Sequence, residues 1–432
     1  MRDFTQPVLD LTGLTLFHGD CLQVLRADEN GYDYALGYGT RHLIADNSVD
    51  AVVTDPPYGL SSPPDTAEVL RHWLTEGHYT HGAAGFMGAD WDSFVPGPAI
   101  WRECFRVLKP GGHLLAFAGS RTHDLMGMAI RLAGFEIRDS IFWTYAQGMP
   151  KSLDITKALT KKGDPDADVW TGWGTNLKPA QEPITVARKP LDGTVVANVA
   201  THGVGGLNID ATRTQMGQAD RDNINAKHAG MNADEYVRKP GSSLNLSVNP
   251  LALKPAEAHD LGRWPTNVAM SHGYDCDEGG ACVDGCPVAE LDAQSGTTVS
   301  RKGKPRGTVD RPEDAVFGAK TSGLSGQTGP EYNDAGGASR FFPVFRFNKK
   351  ATTAERPVVV LEDGTVVKHT TVKPLELMRW LVRLVTPVGG VVLDPFGGSG
   401  TTAQAALAEG FSCVMVELED QHIPLIESRF AA

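Results

Sequence analysis

The stretch Asp50-Ala51-Val52-Val53-Thr54-Asp55-Pro56-Pro57-Tyr58-Gly59-Leu60 decides the fold. Ala51, Val52 and Val53 form a short apolar run rich in β-branched side chains, which predicts a buried strand. Pro56 and Pro57 have no amide hydrogen to give a ladder, so the strand stops at Asp55. A carboxylate is left at the strand's carboxyl end, where open α/β sheets bind their ligands. Proline also restricts its predecessor, so Asp55 and Pro56 are held extended, and the Pro56 carbonyl is a second acceptor beside the carboxylate. Tyr58 adds a flat aromatic face. Two acceptors and a stacking surface suit an exocyclic amine on a planar base. Accepting both amine hydrogens localises the nitrogen lone pair that the ring otherwise delocalises. Asp-Pro alone marks a rigid turn, but these four residues in order after an apolar strand are far more specific.

Working outward, Leu14 to Asp20 reads as a strand ending in glycine and an acid, with a helix beginning over Cys21 to Leu25. Residues 26 to 48 look like an irregular insertion. Residues 59 to 98 are rich in Gly, Pro and His and predict a long loop beside the site. Trp73, Tyr79, Phe86 and Trp91 lie in it, available either to hold a displaced base or for local packing. Ile100 to Leu108 has helical spacing, Lys109-Pro110-Gly111-Gly112 breaks it, and His113 to Ala118 is another apolar strand. Residues 122 to 133 read as a helix and Phe135 to Trp143 as a further strand. The alternation predicts an α/β unit with a parallel sheet.

The 432 residues and formal net charge of −12 fit a soluble chain of two or three domains. No apolar run is long enough to span a bilayer and the first residues lack a signal-peptide core, so a cytoplasmic protein with no membrane partner is expected. Isolated Cys21, Cys104 and Cys413 argue against a disulfide framework. The acidic balance argues against a nonspecific nucleic-acid coat, although a local basic groove can coexist with it.

The second landmark is Val391-Val392-Leu393-Asp394-Pro395-Phe396-Gly397-Gly398-Ser399-Gly400-Thr401-Thr402, leading into a helix over Ala403 to Glu409. A buried strand, a glycine turn and a helix start form a crevice where backbone amides approach an anionic or polar ligand. Gly398, Gly400 and Ala403 also satisfy dinucleotide-fingerprint spacing, with Glu417 closing the next strand, Ser412 to Val416, where a ribose-binding acid belongs. A nicotinamide oxidoreductase is therefore an alternative of a different class, though it leaves Asp55 to Tyr58 unexplained. A phosphate-cradling ATPase loop is disfavoured, because no lysine follows the last glycine.

Asp55-Pro56-Pro57-Tyr58 resembles the catalytic motif of amino-group DNA methyltransferases. The segment Asp394 to Thr402 resembles their S-adenosylmethionine loop, and His369-Thr370-Thr371-Val372-Lys373-Pro374 is similar to a further family motif, with Thr370 where proline is usual. Gly148 to Ser152 and Gly336 to Phe342 look like stretches of phage and prophage members. In the family's β arrangement the catalytic block precedes a target-recognition region and the cofactor block comes last, as here. The resemblance implies a Rossmann-like α/β sheet, circularly permuted, whose catalytic half is 1–150, whose loop-rich target-recognition insertion is 151–345, and whose cofactor half is 346–432. It assigns catalysis to Asp55, Pro56, Pro57 and Tyr58. Cofactor binding is assigned to Asp20 (adenine), Glu417 (ribose), Asp394 with Phe396 and the amides around Gly398, Ser399, Gly400 and Thr401 (methionine portion), and to Thr371 and Lys373. Each acid taken alone would more simply be a cap or strand-end turn. The expected reaction is methylation of adenine N6 in a base flipped out of double-stranded DNA, with cytosine N4 as the rival. A non-catalytic DNA-binding protein is a further alternative, and the resemblance is compatible with a homodimer.

Two features of the middle stand apart. Arg301, Lys302, Lys304, Arg306 and Arg311 form a basic run suited either to a phosphate backbone or to a solvated loop. His272-x3-Cys276-x5-Cys282-x3-Cys286 offers four ligands for a structural zinc, with reduced thiols as the competing reading.

Overall fold

The computed structural model describes residues 6–27, 42–82, 90–145, 152–214, 262–273, 276, 281–299, 335–345, 356–369 and 371–431. Its strands are β1 (Leu9–Leu11), β2 (Leu14–His18), β3 (Val49–Thr54), β4 (Leu108–Phe117), β5 (Glu136–Thr144), β6 (Gln181–Arg188), β7 (Val268–Ser271), β8 (Thr298–Val299), β9 (Ala335–Gly336), β10 (Val344–Phe345), β11 (Val358–Val360), β12 (Val366–Lys368), β13 (Val391–Asp394) and β14 (Ser412–Glu417). Ten of them form one sheet in the order β1-β2-β14-β13-β3-β4-β6-β5-β7-β10. From β2 to β4 every neighbour is parallel. The chain divides into two compact units, one of Met1–Thr212, Thr266–Val288 and Val344–Ala432, the other of Arg213–Pro265 and Ala289–Pro343.

Helices cover both faces of the sheet, as parallel strands require. Side chains alternate along each strand, so Ala51, Val53, Leu115 and Phe117 meet Leu377, Met378, Leu381 and Ala403 on one face. Val52, Leu114 and Ala116 meet Val69, Trp73, Trp101 and Ile130 on the other. The helix Leu375–Val385 buries seven residues on its inner stripe, while helix Pro98–Val107 buries Ala99, Trp101, Cys104 and Val107 at helical spacing. Its carboxyl end is capped from a distance: Lys189 Nζ donates to the carbonyls of Phe105 and Leu108, both at 2.7 Å.

The strand at Leu14 and the strand at Ser412 do share the sheet, with Cys413 opposite Leu14 and Glu417 opposite His18. Buried Asp50 tethers the two landmark strands at their amino ends, accepting from Val391 N at 2.8 Å and from Lys109 Nζ at 2.6 Å. At the other end Thr54 Oγ1 donates to Asp394 Oδ1 at 2.6 Å.

Four expectations change. Residues 109–112 do not break the chain out of the sheet; they belong to β4, with a register shift between Val49 and Ala51 absorbing the irregularity. The sheet is not wholly parallel, because β6 runs antiparallel to both β4 and β5. Finally, β6 and β7 come from within 151–345, so that stretch is not all insertion: 152–212 and 266–288 belong to the sheet-bearing unit. β7 has only four residues, and β6, though eight residues long, stands among glycines and prolines, which hides its pattern. The loop over 59–98 also contains a helix, Thr66–Thr75, whose cap Asp65 accepts from Ala67 N. Trp73 on it is fully buried and packs with Phe94.

In the second unit β8 and β9 pair antiparallel. Gly336 to Phe342 forms a turn held by Asp292, which accepts from the Ser339 amide and hydroxyl, and by Arg340 lying over the Phe341 ring. The basic run of 301–311, the segment 148–151, Phe86 and Thr370 lie outside the described residues.

Candidate active site

The carboxyl ends of β2, β3, β13 and β14 open into one cleft of about 1710 Å³. It is lined by Asp20, by Asp55, Pro56, Pro57 and Tyr58, by Thr371 and Lys373, and by Asp394, Phe396, Gly398, Ser399, Thr401 and Glu417. Tyr79 and Trp91 line it too. A volume above the few hundred to ~1,000 Å³ of a single small-ligand pocket has room for two reactants side by side.

Asp55 leaves β3 as the two prolines require. Its Oδ2 accepts from Lys373 Nζ at 2.6 Å. Its Oδ1 is shielded from solvent and has no hydrogen-bond partner among the described residues. Lys373 Nζ also lies 3.3 Å from Glu182 Oε2, and the Tyr58 hydroxyl donates to that oxygen at 2.9 Å. The ammonium sits over the rings of Tyr58 and Phe117, at 5.3 and 5.0 Å from their centroids. Burial raises the Asp55 carboxyl above its ordinary value against the opposing pull of Lys373. Burial would depress Lys373, but the two carboxylates outweigh it and hold the ammonium protonated. Burial, with Asp55 and Glu182 nearby, raises the Tyr58 phenol well above its usual range, so the ring stays neutral.

The turn after the motif is fixed through its backbone. Asp92 Oδ1 accepts from Tyr58 N at 2.7 Å and Gly59 N at 3.0 Å, and Thr122 Oγ1 donates to the Tyr58 carbonyl at 2.6 Å. The Tyr58 side chain is thus held at both its backbone and its hydroxyl end.

Across the cleft, β13 runs into a glycine turn and the helix Thr401–Ala408. Gly398 and Gly400 have φ of +53° and +80°, which a β-carbon would strain, and a β-carbon at 400 would lie 3.3 Å from Arg429 Cδ. Glu417 Oε2 accepts from Gly398 N at 2.5 Å, and its Oε1 accepts from Glu419 N and contacts His422 Nδ1 at 3.0 Å. Arg429, from the helix Ile423–Phe430, donates to the Ser399 carbonyl and reaches the Ser399 and Thr401 hydroxyls, each at 3.2 Å. Asp394 is drawn inward by Thr54 and by Phe396 N at 3.1 Å, and burial pushes its carboxyl up to about 7 while hydrogen bonds from Thr402 and Thr54 pull it down. Phe396 packs on Trp101 with ring centroids 6.2 Å apart.

Sequence reasoning is thus met unevenly. Asp20 caps the helix Cys21–Arg26 through Gln23 N while also lining the cleft. Thr371 N contacts His369 Nδ1 at 3.3 Å. Lys373 lines the cleft and donates to the Asp55 carboxylate; Asp394 braces the strand ends; Gly400 is the cap at the start of its helix. Glu182, Asp92 and Arg429 belong to the site and carry no motif. Only the apolar run Ile184 to Val186 after Glu182 signals a strand that would carry an acid to the sheet's end.

The mostly parallel sheet, with Asp55 to Tyr58 and the glycine turn facing one cleft, has the form of an α/β methyltransferase. The chain matches the DNA methylase family over residues 49–428 and belongs to that family of N6/N4 amino-group DNA methyltransferases. It is 27% identical over 202 residues to the Type II methyltransferase M.HindIII of Haemophilus influenzae, covering 41% of this chain and 65% of that protein. It is 46% identical over 57 residues to the Type II methyltransferase M.BglI of Bacillus subtilis, covering 13% and 16%. The matches thus span just under two thirds of the first relative and a small part of the second. Among solved structures, the M1.HpyAVI–SAM complex is 12% identical with 97% of this chain and 100% of that one covered, at a TM-score of 0.38. TTHA0409 of Thermus thermophilus, complexed with S-adenosyl-L-methionine, is 17% identical with 97% and 94% covered, at 0.37. Among the described residues no helix is long and apolar enough to cross a membrane.

Proposed function

We propose that this chain is a site-specific DNA methyltransferase that transfers a methyl group from S-adenosylmethionine to the exocyclic N6 of adenine in a flipped-out base. The observation that carries the reading is Asp55 Oδ1, a buried acceptor with no partner among the described residues, in a cleft shared with the glycine turn. S-adenosylmethionine, when bound, supplies an already activated sulfonium methyl. Its adenosine would be held by Asp20 and Glu417, and its methionine portion beside the 398–401 turn that Arg429 braces.

The remaining work is alignment and electrostatics. Asp55 Oδ1 and the Pro56 carbonyl would accept the two hydrogens of the target amine, and Tyr58 would stack on the base. Lys373 favours the ionised form of Asp55 and orients it through Oδ2, leaving Oδ1 for substrate. No nucleophilic residue is required. The target amine is paired within the duplex and must leave it to reach this cleft. Target readout would come from outside the sheet, in residues 213–265 and 289–343, and the order of blocks is that of the permuted β arrangement.

The test is nucleoside mass spectrometry of unmethylated genomic DNA incubated with the protein and methyl-labelled S-adenosylmethionine. Labelled N6-methyladenine is the expected product. Labelled N4-methylcytosine would keep the chemistry and change the base, and absence of label with cofactor bound would overturn the catalytic reading.

A further inference from the structure

His272, Cys276, Cys282 and Cys286 take no part in the cleft, yet one ligand atom from each lies within 4.8 Å of all the others. We propose that these four residues bind a structural zinc ion that clamps the β7–β10 end of the sheet.

The distances carry the proposal. With Zn–S about 2.3 Å and Zn–N about 2.0–2.1 Å, a tetrahedral site sets nitrogen and sulfur about 3.5 Å apart and two sulfurs about 3.8 Å apart. His272 Nδ1 lies 3.3 Å from Cys282 Sγ and 3.6 Å from Cys286 Sγ. A hydrogen-bonded thiol and imidazole would account for part of this, but not for Cys276 converging as well. No disulfide joins the three cysteines, and an odd number cannot all pair. Three sulfurs and one imidazole form a closed, soft donor set with no position left for water, the pattern of structural rather than catalytic zinc.

The surroundings agree. Gly273 N donates to Cys286 Sγ at 3.3 Å, an amide-to-sulfur bond that favours the thiolate a metal needs. Cys286 is wholly buried, where an uncompensated thiolate would be costly. Apolar cohesion is poor, since Val283 in the same segment is 38% exposed. His272 directly follows β7 and its amide donates to Phe345 in β10, while Cys286 directly precedes the helix Pro287–Ser295. One ion would therefore fix the last strands of the sheet to the point where the chain leaves it.

Metal analysis of the full chain, purified without added metal or a histidine tag, is expected to find one zinc per chain. X-ray absorption at the zinc edge should then give three sulfur neighbours at about 2.3 Å and one nitrogen at about 2.0 Å. Cys282→Ser, at the most exposed ligand, should lose most of the zinc. Substoichiometric zinc in folded protein, an oxygen- and nitrogen-only shell, iron in place of zinc, or unchanged zinc in the Cys282→Ser variant would each overturn the proposal.

Discussion

Lys373 Nζ lies 2.6 Å from Asp55 Oδ2, joining residues 318 apart in the chain and reaching Glu182 on a third segment. The cation is what allows two carboxylates and a tyrosine to share one buried corner. Lys373→Met should leave Asp55 facing Glu182 without compensation and raise its pKa further. Methyl transfer is expected to fall about 100-fold at neutral pH, within the range for losing a group that sets a catalytic charge, and to recover partly as pH rises and Asp55 ionises. Single-turnover rates across pH report this; a rate profile matching the parent's would remove Lys373 from the mechanism.

Asp55→Ala should abolish transfer, by about 100-fold or more, while leaving S-adenosylmethionine affinity within a few-fold. Calorimetric titration beside the single-turnover assay separates the two effects. Equal loss of binding and rate would sink the division of the cleft into an acceptor side and a donor side.

Arg429→Met should weaken S-adenosylmethionine binding about tenfold, the scale of charge-assisted hydrogen bonds lost from a buried group. The arginine bonds to the 399–401 turn and does not line the cleft, so the rate at saturating cofactor should change little. A large fall in the saturated rate with unchanged affinity would count against its role as a brace.

Asp394 gives a pH prediction with a definite sign. Its carboxyl is raised from the ordinary 3.8 to about 7 in the fold, so between those values the folded state holds more protons than the unfolded one. Stability from this group is complete below about pH 4 and is lost as pH rises through 7. Asp394→Asn keeps an acceptor for Thr54 and Phe396 and removes the titration, so its melting temperature relative to the parent should rise steadily over that window. His369, held near pKa 3 by burial and by His422, has the opposite slope, but it is common to both proteins and cancels. A constant difference across pH would show that Asp394 does not titrate there.

Much of this was legible in the chain. Asp55 to Tyr58 and Asp394 to Thr402 announce themselves because proline and glycine constrain backbone in ways few other residues do, and the strands before them are continuous apolar runs. Glu182 was not legible, because a single acid before a short β-branched run looks like many others. Asp92 and Arg429 were hidden for another reason: they act on backbone groups of distant segments, and nothing local marks a side chain for that task. Lys373 illustrates a third limit, since its motif carries no sign of its bond to Asp55, 318 residues away. Within 151–345, β6 joins the sheet from among residues whose composition suggests a loop.

The pairing of β2 with β14, and of β3 with β13, has a consequence for synthesis. During translation the strands at Leu14 and Val49 emerge more than three hundred residues before their neighbours at Val391 and Ser412. Until those arrive, each presents an open edge of amides and carbonyls, and closing so large a loop is slow. The nascent chain is therefore exposed to mispairing for most of its elongation, and chaperone occupancy should track the unfinished middle of the sheet.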